Sequence, residues 1–494
     1  MKTLSSLLLF AAALALTGAE TLTVSRRGDD LSIKSPFPGG WTLTRTAGVG
    51  GPSRLFNFRS ATLGKEGTKE FVVKGSSDDI CPWNFNGTYI GANHGDFLAS
   101  AVICSAPHDL STRDCGSEWR DSKGKKFYVV RIESPSILWV LSENLSKEKD
   151  IWVFSRPAAG ETLTHADGRV LKDFKVQFRQ LRPQVRVVSR KYLADGKELA
   201  DKTTVECGVF TVEEEYDIIA TDAVLKHVTA NPGKAVSFNA PGLDPVLTQK
   251  IVYTYYPDGS CLVEHRAKFH RDVRPNYMGF IQAGQMAKGR YAKHLYYIPK
   301  TKPFTCENEE WDFANMVDFT RPIKGSIYFS AKMFDDPKNL PDRFVQYLKD
   351  APGQPDAGFV CGYSRLTGCT VPEQRAKNSR IALFLYKTHK SYPHALDNGK
   401  MRLIKAGQTF HCLAYRQYFD PAQGYYLNRQ GDAYVMYVDF HAPVKGKVVP
   451  LPEKLRALRT TLLEKSPGVE YRRNEGSLLF DSTGKNGYCV LKFQ

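Results

Sequence analysis

Long hydrophobic runs are missing from this 494-residue chain beyond its first turn of sequence, so nothing after residue 19 is long enough to span a bilayer as a helix. There is no Cys-x-x-Cys pair, which disfavours a zinc ribbon or a thioredoxin-type site. No Gly-x-Ser-x-Gly elbow is present, so serine-nucleophile chemistry of the hydrolase kind has little support. His-Glu-x-x-His, Walker and dinucleotide fingerprints are absent as well. No repeat of propeller or solenoid period recurs. Basic arms, zinc fingers and RNA-binding signatures are lacking, and the cations are not gathered into runs, so nucleic acid is not expected as a partner.

What the chain does have begins with Met1-Lys2-Thr3, an apolar run from Leu7 to Leu16, and Thr17-Gly18-Ala19. A charged start, a short apolar stretch and a small-residue cleavage site predict a signal peptide over residues 1–19. The expected location is therefore secreted or periplasmic. The charge balance is strongly basic, with 68 Lys+Arg against 52 Asp+Glu, a formal +16. In an exported protein that excess favours an anionic partner such as an acidic polysaccharide. Ten cysteines make disulfides possible after export, and Cys361 with Cys369, or Cys104 with Cys115, would close short loops.

Short apolar runs broken by turns dominate the pattern. The clearest hairpin is Lys250-Ile-Val-Tyr-Thr-Tyr-Tyr, the turn Pro257-Asp-Gly-Ser, then Cys261-Leu-Val-Glu-His-Arg-Ala-Lys-Phe. Helical patterns are few: Pro341–Lys349, and the stretch 452–465 with Leu455, Leu458, Leu462 and Leu463 on one stripe. The expected fold is all-β and mainly antiparallel: one large β-sandwich, or two packed β-sandwich halves with a few short helices. A soft boundary at 228–246 separates residues 20–235 from 245–494. It reads either as a linker between halves or as a loop within one sandwich.

Four clusters carry candidate chemistry. Tyr89, Asn93 and His94 lie in a glycine-rich stretch, where the backbone can turn tightly and a ligand can approach closely. Glu264, Arg266, Lys268 and His270 alternate along the second hairpin strand and so share a face. His389, Tyr392 and His394 follow a strand into a proline-containing segment. In the last cluster, alternation puts His411, Leu413 and Tyr415 on one face and Cys412, Ala414 and Arg416 on the other.

This inventory suits proton abstraction next to a carboxylate. His94 or His394 would take the proton, and Tyr89 or Tyr392 would protonate the leaving oxygen. Asn93, Arg266 and Arg416 would neutralise the carboxylate, with His270, His389 and Tyr415 completing substrate binding. With its signal peptide, β-rich pattern and the Asn93-His94 and Tyr392-Pro-His394 segments, the chain resembles secreted bacterial polysaccharide lyases with large β-sandwich folds. The resemblance implies β-elimination on a uronic-acid glycan. It needs no cofactor, and a divalent cation stays open. The alternatives are a non-catalytic glycan-binding or cell-surface protein, and a glycoside hydrolase using paired Asp/Glu.

Overall fold

Alternating burial runs through the strands. In Phe210–Ile219, Phe210, Val212, Glu214 and Tyr216 point inward while Thr211, Glu213 and Glu215 are half-exposed. A β-strand sends successive side chains to opposite faces, so such a sequence has one apolar side to bury and finds it against a second sheet. The computed structural model describes residues 20–50, 55–74, 100–104, 109–134, 137–142, 145–148, 151–154, 157–158, 160–172, 174–177, 185–219, 221–234, 243–272, 283–284, 293–297, 304–306, 309–311, 317–318, 326–328, 343–363, 379–384, 390–397, 404–484 and 487–494.

Two large sheets form the centre. A six-stranded sheet runs in the order 203–207, 22–27, 30–37, 41–50, 55–64, 71–74. A ten-stranded sheet runs 197–198, 185–194, 210–219, 245–255, 260–269, 409–419, 357–363, 343–349, 293–297, 317–318. One apolar cluster joins them, with Leu43, Phe56 and Phe58 from the first sheet and Tyr216, Ile251, Tyr253, Phe269 and Phe359 from the second. All neighbouring pairs given for these sheets are antiparallel. The architecture is thus the all-β sandwich expected from the strand pattern.

The hairpin forms as its turn chemistry dictates. Pro245–Tyr255 pairs with Ser260–Phe269, setting Tyr255 opposite Cys261 and Lys250 opposite Arg266. Gly259 adopts φ +79°, and the Asp258 carboxylate accepts from the Ser260 N–H at 3.1 Å. The turn also seats Arg45, which is buried and donates to the carbonyls of Gly259 (3.1 Å), Ser260 (3.2 Å) and Tyr256 (3.3 Å). The segment 228–246 joins neighbours in one sheet, because strands 210–219 and 245–255 pair along their length.

The described residues cover the other face of the ten-stranded sheet only in part. At one end Val345, Tyr347, Val360, Tyr415 and Phe419 pack against Tyr426, Val435, Tyr437 and Val490. These belong to a four-stranded sheet, ordered 426–430, 433–440, 487–493, 460–465. A three-stranded sheet of 444–450, 477–482 and 469–473 shares a core with it. A seven-stranded sheet built from residues 100–177 packs on the helix Thr221–Ala230 through Tyr128, Trp139, Val224 and Val228.

Both predicted helices are corrected. Residues 343–349 form a strand in the ten-stranded sheet, with Arg343 through Leu348 all buried. Phe344 and Leu348 pack into the core shared with the six-stranded sheet, while Val345 and Tyr347 pack under the C-terminal sheet; burial of both faces erases the alternation and leaves a run that resembles a helix. In 452–465 only Glu453–Arg456 is helical, and Thr460–Lys465 is an edge strand with Leu462 and Leu463 exposed. The leucine periodicity is met by an edge rather than a stripe. The two short disulfide loops are also corrected, since Cys115, Cys207, Cys261, Cys361 and Cys489 are buried thiols. Cys361 sits mid-strand opposite Phe344 and Arg416, with its thiol in the core. The stretch expected to be a signal peptide, residues 1–19, lies outside the described residues. Among those described, no helix is long and apolar enough to cross a membrane.

Candidate functional site

Where none of the described residues covers the outer face of the ten-stranded sheet, three strands present an open cavity of about 480 Å³. Thr248 and Lys250 come from strand 245–255, Arg266 and Lys268 from 260–269, and Thr409 and His411 from 409–419. Register decides the arrangement. Lys250 pairs with Arg266 and Arg266 with His411, giving one row of basic residues across three strands. Thr248, Lys268 and Thr409 form the next row by the same pairing. Directly opposed residues on one face lie close enough for their side chains to share a ligand.

The neighbouring acids are already engaged. Glu264 accepts from Arg266 Nε at 2.7 Å and from His411 Nε2 at 2.9 Å. A carboxylate only accepts, so the His411 Nε2 carries a proton. Lys250 Nζ lies 3.1 Å from Glu213. Asp217 pairs with Arg186 at 2.6 Å and accepts from the Thr248 hydroxyl at 2.6 Å. That hydroxyl lies 2.8 Å from His270 Nε2; its single proton is spent on Asp217, so His270 is the donor. Lys268 has no acidic partner among the described residues. Among the described residues, the lining of the cavity carries four basic groups and two hydroxyls and no carboxylate.

Behind the face, His265 is buried and its Nε2 lies 3.0 Å from Gln249 Oε1, which also accepts from the Tyr216 hydroxyl at 2.5 Å. Burial pushes this imidazole down to about 3, and the nearby His411 adds to the shift. His265 is therefore a neutral core residue and takes no part in the open face.

The sequence-predicted residues are distributed as follows. Arg266 and His270 lie on the open face, with the Arg266 side chain 66% exposed. Tyr415 is fully buried and stacks on Tyr437 at 5.5 Å, under the C-terminal sheet. Arg416 is on the opposite side of the sheet, buried between Cys261 and Cys361 in register, with its guanidinium 5.6 Å from the Phe58 ring centre. Tyr392 and His394 belong to strand 390–397 of a separate six-stranded sheet, where Tyr392 pairs with Ala382 and His394 falls in a bulge. Tyr89, Asn93, His94 and His389 lie outside the described residues. Of the ten, the described structure brings together Arg266 and His270. It adds Thr248, Lys250, Lys268, Thr409 and His411. The hairpin turn was the available signal for Lys250 and Thr248, because its length sets which residues oppose Arg266 and Lys268.

No family model and no curated protein matches the chain. Among solved structures it is similar to the galactose 1-epimerase from Lactobacillus acidophilus NCFM, at 8% identity and a TM-score of 0.27, covering 81% of this chain and 98% of that one. It is also similar to the GalM/aldose epimerase homologue from C. elegans, at 10% identity and a TM-score of 0.25, covering 79% and 99%. The polysaccharide lyase expectation is corrected: the structures it resembles bear epimerase titles rather than lyase titles. The described residues also do not assemble the proposed carboxylate clamp, since Arg266 and Arg416 lie on opposite faces of one sheet.

Proposed function

We propose that the chain is an exported glycan-recognition protein that binds an anionic saccharide on the open face of the ten-stranded sheet. One observation carries this reading: Lys250, Arg266, Lys268 and His411 line a single cavity with Thr248 and Thr409, and among the described residues no carboxylate lines it. Basic groups spread over three adjacent strands meet repeated acidic groups, and hydroxyls between them exchange hydrogen bonds with sugar hydroxyls. An uncovered face suits an extended chain better than an enclosed small molecule. Engagement of Glu264, Glu213 and Asp217 by neighbouring basic groups holds these acids away from an incoming anion.

The test is calorimetric titration with uronic-acid or sulfated oligosaccharides against neutral oligosaccharides of equal length. Binding of the acidic series is expected, weakening with salt. The Arg266→Gln and Lys268→Gln double variant is expected to lose about tenfold or more, from the loss of charge-assisted hydrogen bonds worth about 1.5–3 kcal/mol each. Equal affinity for neutral oligosaccharides, or an unaffected double variant, refutes the reading.

A second reading rests on the Glu264–His411 contact of 2.9 Å at the same face. A carboxylate and an imidazole in contact can take and return a proton on a bound sugar hydroxyl. Polarimetry on a panel of aldoses, with Glu264→Gln as the control, separates turnover from binding alone.

A further inference from the structure

A second cavity, of about 110 Å³, lies where the ten-stranded sheet meets the C-terminal four-stranded sheet. Tyr347 and Lys349 reach it from strand 343–349, and Asp439 and His441 from the end of strand 433–440 and just beyond. Lys447 enters from strand 444–450. It is well below the roughly 300–1,000 Å³ of pockets that hold drug-sized ligands, so its occupant is a small ion or one terminal group.

The charges around it do not balance. Among the described residues Asp439 is the one carboxylate in the lining, and both its oxygens are taken. Arg343 donates to Oδ1 at 2.9 Å and the Tyr426 hydroxyl to Oδ2 at 2.7 Å. The Arg343 guanidinium therefore uses the negative charge that Lys349 and Lys447 would otherwise share. Neither lysine has an acidic partner within ion-pair distance among the described residues. Lys447 sits over the Phe440 ring at 5.4 Å, and its head lies 3.5 Å from the position a Cβ on Gly424 would occupy. Burial lowers both Lys447 and His441; the Asp439 carboxylate opposes the shift in each, and the two lysines add to it in His441. Tyr347 meets His441 edge-on at 5.5 Å and Phe419 at 6.0 Å, closing the pocket with aromatic walls that keep the charges poorly hydrated.

We propose that this pocket is a small-oxyanion site, taking a phosphate or carboxylate group between Lys349 and Lys447 with His441 beside it. An oxyanion supplies the charge that Asp439 cannot, and its several oxygens accept from both ammonium groups at once. The site is separate from the open face: the two share strand 409–419 but no lining residue.

Inorganic phosphate, malonate and chloride are titrated into the full chain at matched ionic strength, with heat of binding and the thermal midpoint both recorded. Saturable binding of phosphate or malonate, whichever fits, is expected over chloride. Lys447→Gln and Lys349→Gln are each expected to weaken it by about tenfold or more. Lys349 lies at the edge of its sheet face, so its variant remains informative if Lys447→Gln fails to fold. The Arg266→Gln and Lys268→Gln variant keeps the oxyanion binding while losing glycan binding, which separates this site from the open face. Equal effects of chloride, or unchanged affinity in Lys349→Gln, overturn the proposal. Loss of phosphate binding in the Arg266→Gln and Lys268→Gln variant also overturns it, since the anion would then sit on the open face.

Discussion

Removing the Asp439 carboxylate tests how the C-terminal sheet is held to the centre of the molecule. Arg343, on the central sheet, has a fully buried side chain, and Asp439, on the C-terminal sheet, is 2% exposed. Their ion pair measures 2.9 Å, and the Tyr426 hydroxyl bonds Asp439 at 2.7 Å while Arg343 Nε donates to that same hydroxyl. Three rings flank the guanidinium, Tyr437 at 4.8 Å, Tyr488 at 5.7 Å and Tyr426 at 5.9 Å. The rings attract the cation without neutralising it. Asp439→Ala leaves the Arg343 charge buried without its carboxylate, at a cost of about 3–5 kcal/mol. That is a large share of the roughly 5–15 kcal/mol that stabilises a typical domain. The double variant Arg343→Met and Asp439→Leu removes both charges and is expected to cost far less than the two single changes added together. Urea unfolding, with hydrogen exchange read on strands 433–440 and 487–493, measures both. A loss below about 1 kcal/mol in Asp439→Ala, or additive costs in the double variant, refutes the argument.

His265 makes stability depend on pH. Its imidazole stays neutral in the fold down to about 3, whereas the unfolded chain protonates it below 6.5. Its contribution is therefore complete above pH 6.5 and declines as pH falls toward 3, by up to about 1.4 kcal/mol per pH unit. His265→Gln is expected to flatten that part of the stability profile in urea titrations, and an unchanged slope counts against a buried neutral ring. Gly259→Ala combines an unfavourable φ of +79° with a Cβ 2.6 Å from the Tyr418 carbonyl oxygen, in the turn that seats Arg45. Gly28→Ala meets only the φ penalty, at +60° in open space. Equilibrium unfolding is expected to show about 1 kcal/mol for Gly28→Ala and distinctly more for Gly259→Ala. Equal losses would show that the contact with Tyr418 relaxes without cost.

Parts of this site were legible in the residues. Alternation through 260–269 places Glu264, Arg266 and Lys268 together, and the four-residue turn pairs Lys250 with Arg266. The third strand was not legible. Residues 409–419 join 260–269 from well over a hundred positions away, and no local pattern encodes that pairing. Nor does alternation say which face of a strand is wet. Arg416 and His411 follow the same rule on one strand, yet the first lies in the core and the second at an open cavity.

The sequence by itself determined the alternating strands, such as 210–219, and the hairpin 245–269 with its register, because turn chemistry and period-two alternation act between near neighbours. Tertiary structure alone decided that 343–349 and 460–465 are strands, since the burial of one and the edge position of the other come from distant partners. It also decided that the outer face of the central sheet is covered over Tyr415 and open over His411. That difference follows from where the C-terminal sheet docks. Docking is driven by apolar area shared between remote segments, which no stretch of either segment carries alone.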